Sequence, residues 1–486
     1  MKTVISHFTF ADMAVYYVEE RQIPGLVLIP SGTEDQIVWE KPIQTEPLVQ
    51  VKLTGDRYPN GFSQGRTMRG SESTQRLRYL RQERIEGPDG SAVKTYLAGS
   101  QDTEYIHELL ARTGSPALEV RCEIRNCGSR QVVVEMLSSF TLGTLTPFCE
   151  RAEEGRLRLH QIRSTWSAEG RLVSRPVEEY QLEPSWQCYS ANGIRFGQLG
   201  SMPVREYAPL MAAEDVVSGV FWAVGLSQGC SWQLEASRKD EALVLSGGLA
   251  DREFGHWMKT LEPGESFQTP KAVLTCVKGP VDRAFGRLAD NMRSCLRLPS
   301  SELDMPVLFN EFCTTWGHPN EETVKELVQS TKELGIGYFV IDAGWYIDDD
   351  AQGDTKLGEW NVGEKRFPSG MKACVDRIRA AGMVPGIWFE FEIAGEDSLT
   401  FNMADRLLKR DGVPITAGKR RFWDMRQECV QEYLFERVIS FLKENGFGYL
   451  KIDYNGNIGI GCEGAESLGE GLRQQVEATV YPAHSE

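Results

Sequence analysis

The sequence predicts an all-β domain followed by an α/β domain, and three observations carry that prediction. Up to about residue 278, short apolar runs alternate with turn signals such as Pro59-Asn60-Gly61 and Pro88-Asp89-Gly90, which is the spacing of a large β-sandwich. From residue 305 on, strand-like runs alternate with amphipathic helices, which calls for a parallel sheet with crossover helices. Third, residues 305–486 hold four main β/α units, whereas an eight-fold barrel typically needs about 250 residues. The expected architecture is therefore a β-sandwich at 1–278, a helical linker at 279–304 and the first half of a (β/α)8 TIM-type barrel at 305–486.

The strands expected in the first part are Gly25–Ile29, Leu118–Ile124, Gln131–Glu135, Val220–Gly225, Trp232–Glu235 and Ala272–Cys276. Val281, Phe285, Leu288, Met292 and Leu296 recur at helical spacing before the breaker Leu298-Pro299-Ser300-Ser301. In the second part, strands are expected at Met305–Glu311, Tyr338–Asp342, Val384–Glu390 and Tyr449–Asp453, with a short extra one at Arg421–Met425. Helices are expected at Glu321–Leu334, Pro368–Ala381, Asp397–Arg410, Gln427–Asn445 and Ser467–Val480.

Composition narrows the function classes. A formal net charge of −16 over 486 residues disfavours nucleic acid and anionic membranes, both of which need clustered Lys/Arg. Eleven cysteines without a CxxC pair and only six histidines argue against zinc and for reduced, cytoplasmic thiols. Met1–Glu20 reads as no signal peptide, and no apolar run approaches ~20 residues, so no membrane span is expected.

Polar and aromatic residues gather where the barrel strands end. Side chains alternate along a strand, so Lys451, Asp453 and Asn455 share one face of Tyr449–Asn455. In a parallel barrel the C-terminal strand ends border the substrate mouth. Asp342 and Trp345 end the second strand. Trp388, Glu390 and Glu392 fall on one face of the third if that strand persists so far. Carboxylates beside indoles suit a sugar, whose ring has an apolar side and whose hydroxyls donate to acids. An ammonium at Lys451 keeps Asp453 ionised, as a nucleophile or a structural ion pair requires. The Asp56–Arg69 loop, with arginines among glycines and aromatics, reads as a ligand or subunit contact or as solvated surface.

These motifs together resemble glycoside hydrolase family 36, the α-galactosidase (melibiase) family. Phe339-Val-Ile-Asp-Ala-Gly-Trp345 is similar to its Leu-Asp-Asp-Gly-Trp strand, Gly386-Ile-Trp-Phe-Glu-Phe-Glu392 to its Gly-Leu-Trp-Phe-Glu-Pro-Glu segment, and Tyr449-Leu-Lys-Ile-Asp-Tyr-Asn455 to its nucleophile strand. Gly65-Arg66-Thr67-Met68-Arg69 also looks familial. The resemblance implies an N-terminal β-supersandwich before the barrel and retaining hydrolysis of terminal α-D-galactosyl residues from oligosaccharides, without metal or organic cofactor. It implies Asp453 as nucleophile and Asp342, Trp345, Trp388, Glu390, Lys451 and Asn455 as substrate-binding residues, with a substrate-contacting arginine at Arg420 or Arg421. It also implies a homo-oligomer when full-length.

The sequence departs from the family in two places. Ala343 stands where the family has a second Asp, which raises an α-N-acetylgalactosaminidase as an alternative. The family's acid/base Asp lies several dozen residues past the nucleophile, and no matching loop precedes Glu486. Cys462, Glu463, Glu466 and Glu470 read as helix decoration rather than substitutes. The expectation is thus a chain truncated within its barrel, either an α-galactosidase polypeptide or a non-catalytic sugar-binding remnant.

Overall fold

The computed structural model describes residues 3–39, 45–57, 67–184, 191–239, 242–348 and 355–463. Contacts divide the chain into two compact units between Leu296 and Arg297. The helix expected at Ser467–Val480, the acids Glu466 and Glu470, and residues 58–66 of the Asp56–Arg69 loop lie outside the described residues.

The first unit is antiparallel throughout: a three-stranded, a six-stranded and a ten-stranded sheet. Each strand expected from sequence is present, several of them longer than expected; Val132–Leu145, for example, runs 14 residues. Val220–Ser227 is almost wholly buried, which explains its continuous apolar reading. The two larger sheets face each other, Cys122 Sγ of one donating to the Ser139 carbonyl of the other at 3.6 Å. Helix α1 (Val281–Cys295) places Ala284 and Leu288 on Phe221, Ala223, Val273 and Val277 of the ten-stranded sheet. Of the apolar stripe read there, Val281, Phe285 and Leu288 pack on the first unit, whereas Met292 and Leu296 are exposed.

The second unit is built on four parallel strands, β1 (Val307–Asn310), β2 (Ile336–Ile341), β3 (Val384–Phe389) and β4 (Tyr449–Ile452), hydrogen-bonded in chain order. Each crossover carries a helix, as parallel pairing requires. Helix α2 (Glu321–Thr331) links β1 to β2 and is capped by Asn320, whose Oδ1 accepts the Thr323 N–H at 2.9 Å. Helix α3 (Met371–Ala380) links β2 to β3 and buries Met371, Cys374, Val375 and Ile378. Helix α4 (Glu428–Leu434) continues through a π turn at Phe435–Ser440 and an α-helical stretch at Phe441–Asn445, and stops at Gly446 with φ +79°. Strands β1 and β4 each have one neighbour among the described residues, and both carry exposed apolar side chains, Val307 and Ile452.

One expected helix is absent. Asp397–Arg410 forms a single 3-10 turn at Leu399–Asn402, and Lys409–Arg410 then pairs with Val413–Pro414 as a small hairpin. Ser398 Oγ donates to the Gly395 carbonyl at 2.9 Å and contacts Thr400 Oγ1 at 2.6 Å, so short polar side chains compete here with the helical ladder. The extra strand expected at Arg421–Met425 lies at Arg420–Phe422, between Ile393–Gly395 and Thr416–Ala417.

Candidate functional site

Register brings the candidate residues together. Ile341 pairs with Ile387, and Trp388 with Lys451, so Asp342, Trp388 and Lys451 stand level at the ends of β2, β3 and β4 and on the same side of the sheet. Lys451 reaches across β3 and donates from Nζ to Asp342 Oδ2 at 2.6 Å. The Asp342 side chain is 3% exposed and that of Lys451 32%. Asp342 Oδ1 accepts the Ala343 N–H at 2.8 Å, and the Asp342 N–H donates to Glu311 Oε1 at 2.7 Å.

Asp453 follows one residue after β4 and is fixed at both oxygens. Its Oδ2 accepts the indole N–H of Trp388 at 3.1 Å and its Oδ1 the Tyr454 N–H at 3.0 Å, while its own N–H continues the ladder to the Phe389 carbonyl at 2.9 Å. The sequence reading paired Lys451 with Asp453. That pairing is corrected: the ammonium goes to Asp342, the more deeply buried of the two acids, and Asp453 takes neutral donors.

Strand β3 ends at Phe389, so Glu390 and Glu392 lie in the turn beyond it rather than on the Trp388 face. Glu390 is buried, and its carboxylate accepts the Asn455 N–H at 2.8 Å and faces Arg420 at 3.5 Å. Burial raises its pKa above the ordinary glutamate range. Glu392 is pushed up to about 7, mainly by burial and then by the neighbouring Glu390 charge. The two arginines separate cleanly. Arg420 faces Glu390, whereas Arg421 donates to the Phe401 carbonyl at 2.7 Å and lies 3.9 Å over the Phe401 ring. Neighbours on a strand point to opposite faces, so Arg421 is excluded from the strand-end cluster.

Trp345 is also corrected. It is fully buried, its indole N–H donates to the Trp388 carbonyl at 2.9 Å, and its ring stacks on Trp360 and Phe441. No ring face is left for a sugar, so it braces the strand ends from the core. Gly344 before it has φ +99°, and a Cβ there would sit 2.0 Å from the Gly317 carbonyl oxygen, which is why the tight turn after Asp342 needs glycine.

Three further residues escaped the sequence reading. Glu311 is fully buried, holds the Asp342 backbone and takes a hydrogen bond from Thr315, and burial raises its pKa. Its position just past β1, like that of the other acids at strand ends, was the available signal. Tyr346 stacks parallel to Trp388 with centroids 6.2 Å apart, and Trp360 packs on both Trp345 and Phe389. Beyond β4, Glu463 accepts the Gly412 N–H and its carbonyl accepts from Arg426 at 2.8 Å, so it holds the small hairpin. Among the described residues no group of three or more His, Cys, Asp or Glu is placed to hold a metal ion, and no helix is long and apolar enough to cross a membrane.

Residues 266–479 match the family model described as Melibiase. Alpha-galactosidase Mel36A of Lactobacillus acidophilus is 30% identical over 261 residues, covering 51% of this chain and 34% of the relative. Alpha-galactosidase 1 of Pediococcus pentosaceus is 28% identical over 273 residues, covering 54% and 36%. The aligned stretch thus spans about a third of these curated relatives. Among solved structures, the GH36 α-galactosidase AgaA of Geobacillus stearothermophilus superposes with TM-score 0.79 at 16% identity, over 99% of this chain and 71% of that one. A variant of AgaA solved with stachyose gives TM-score 0.78 at 16% identity, over 98% and 71%. At that identity the structural likeness establishes the fold: antiparallel β-domain, then parallel barrel strands.

Proposed function

We propose that the chain is a member of the melibiase family, glycoside hydrolase family 36, whose model it matches over residues 266–479, and that it acts on terminal α-D-galactosyl residues of oligosaccharides by the retaining, double-displacement route. The observation that carries this reading is the level row of Asp342, Trp388 and Lys451 with Asp453 held just above it. Asp453 is the nucleophile. Hydrogen bonds to both its oxygens orient the carboxylate toward an anomeric carbon, which it attacks to form a covalent glycosyl-enzyme. Asp342 and Lys451 form a charged pair that accepts from and donates to sugar hydroxyls, and Trp388 walls the pocket. Glu390 acts through Asn455 and Arg420, the two groups it anchors. The second carboxyl of a retaining pair protonates the leaving oxygen and then activates water. Glu463 and Cys462 do not take that part in this reading, since Glu463 is engaged with the hairpin. Ala343 leaves the site with one carboxylate at this strand end, so N-acetylgalactosamine is the alternative sugar.

The ten described cysteines are free thiols, which supports a reducing, cytoplasmic setting. Exposed Val307 and Ile452 on the outer barrel strands support self-association.

The test is intact-mass spectrometry after exposure to a dinitrophenyl α-galactoside, whose leaving group needs no protonation. The expected result is a hexosyl adduct that Asp453→Ala abolishes. A folded chain that forms no adduct overturns the reading in favour of a non-catalytic sugar-binding protein.

A further inference from the structure

A second constellation lies in the first unit, on the hairpin Leu157–Thr165 and Ala168–Pro176 at the end of the ten-stranded sheet. His160 stands directly opposite Ser174 on the outer strand and opposite Ala212 on the inner one. Its Nδ1 lies 2.8 Å from Ser174 Oγ and its Nε2 3.0 Å from Glu214 Oε2. A carboxylate only accepts, so Nε2 carries the ring proton and Nδ1 is free to accept the serine O–H. His160 is 4% exposed and its ring packs on Phe221, with centroids 5.3 Å apart, whereas Ser174 is exposed. Burial lowers the His160 pKa, which keeps the ring neutral, as a base must be.

We propose that Ser174, His160 and Glu214 form a nucleophilic triad that acts on small carboxylic esters, distinct from the strand-end site. Two surrounding features fit that use. Ile162 and Leu172 pair on the same face of the hairpin, two residues along from His160 and Ser174, and offer a partly exposed apolar patch for an acyl group. Ala168–Pro176 has one strand neighbour among the described residues, so its free edge carries backbone N–H groups that no strand takes up; in this proposal they supply the donors that a developing oxyanion needs. In the reaction Ser174 Oγ bonds to the carbonyl carbon as its proton passes to His160 Nδ1. The ester C–O bond then breaks, the leaving alkoxide takes that proton, and water hydrolyses the acyl-serine by the same relay. Glu214 is a positioning residue, fixing the tautomer.

The experiment uses the full chain and a fluorophosphonate probe, whose P–F bond is displaced by an activated serine, with peptide mass spectrometry as readout. Ser167, an exposed serine at the tip of the same hairpin, is the internal reference. The expected result is labelling of Ser174 at least tenfold faster than Ser167, lost in Ser174→Ala, at least tenfold slower in Glu214→Gln and largely restored in Glu214→Asp. His160→Gln should abolish the preference for Ser174, and the Glu214 and Ser174 variants keep the test decisive if that variant does not fold. Labelling of Ser174 no faster than Ser167, or equal rates in Glu214→Gln and the parent, overturns the proposal and leaves a structural hydrogen-bond ladder.

Discussion

Replacing Lys451 with Met leaves Asp342 as a buried carboxylate without its cation. At 2.6 Å and an effective dielectric of about 20, the gross attraction is about 6 kcal/mol, most of it offset by the desolvation of Asp342. Removing one partner of a buried pair costs about 3–5 kcal/mol. The Lys451 side chain is one-third exposed, so water softens the loss, and about 2–3 kcal/mol is expected. Adding Asp342→Asn removes the stranded charge as well, so the double variant is expected to be no less stable than Lys451→Met alone, with a coupling energy of about 1.5–3 kcal/mol. Native-state hydrogen exchange in low urea, read on peptides covering β2 and β4, reports the local stability. Single-variant effects that sum to the double within about 0.5 kcal/mol refute the pairing.

Trp345→Ala empties the centre of the aromatic cluster and should cost about 3–5 kcal/mol, while the 70%-exposed Trp316 should tolerate Ala within about 0.5 kcal/mol; thermal melts compare them. Gly344→Ala forces a side chain into the Gly317 backbone at positive φ and should sharply lower soluble yield and melting temperature, whereas Gly370→Ala, at φ +76° and ψ 162° with nothing within 4 Å, meets backbone strain alone and should cost about 1–3 kcal/mol. Glu392, with a folded pKa of about 7 against an ordinary 4.5, keeps its proton in the fold after the unfolded chain has lost it. Its contribution therefore falls as pH rises from 4.5 to 7 and then levels off, with a ceiling of about 3 kcal/mol. Glu392→Gln should remove that slope in denaturant midpoints measured across the range. His107 runs the other way: burial lowers its pKa to about 4, so it costs stability as pH falls from 6.5 to 4, and His107→Gln should flatten acid unfolding in the first unit.

How much of this was legible beforehand depends on what each element needs. Strands such as Val220–Ser227 and β3 announce themselves because burial on both faces demands unbroken apolar runs. That Asp342, Trp388, Lys451 and Asp453 lie together was legible because all four fall at strand ends. Their partners were not: whether Lys451 meets Asp453 or Asp342 depends on the register of β2, β3 and β4, which no single strand encodes. Arg420 and Arg421 could not be told apart for the same reason, since a one-residue shift exchanges the faces of a strand. Trp345 looked like a sugar platform because an aromatic after a strand-end acid has that composition, and only the packing of Trp360 and Phe441 assigns it to the core. The Asp397–Arg410 helix failed because periodicity gave no weight to Ser398 and Thr400 as local hydrogen-bonding competitors.

The π turn at Phe435–Ser440 amounts to one residue more than an unbroken α-helix would use over that length. Where homologous chains differ by a single-residue gap in this crossover, this turn is the place to seat it. Removing one residue here would restore an ordinary helix, with Phe441 kept against Trp345. The same deletion in α2 would swing every later side chain by about 100° and turn Val324 and Val328 out of step with each other's surroundings.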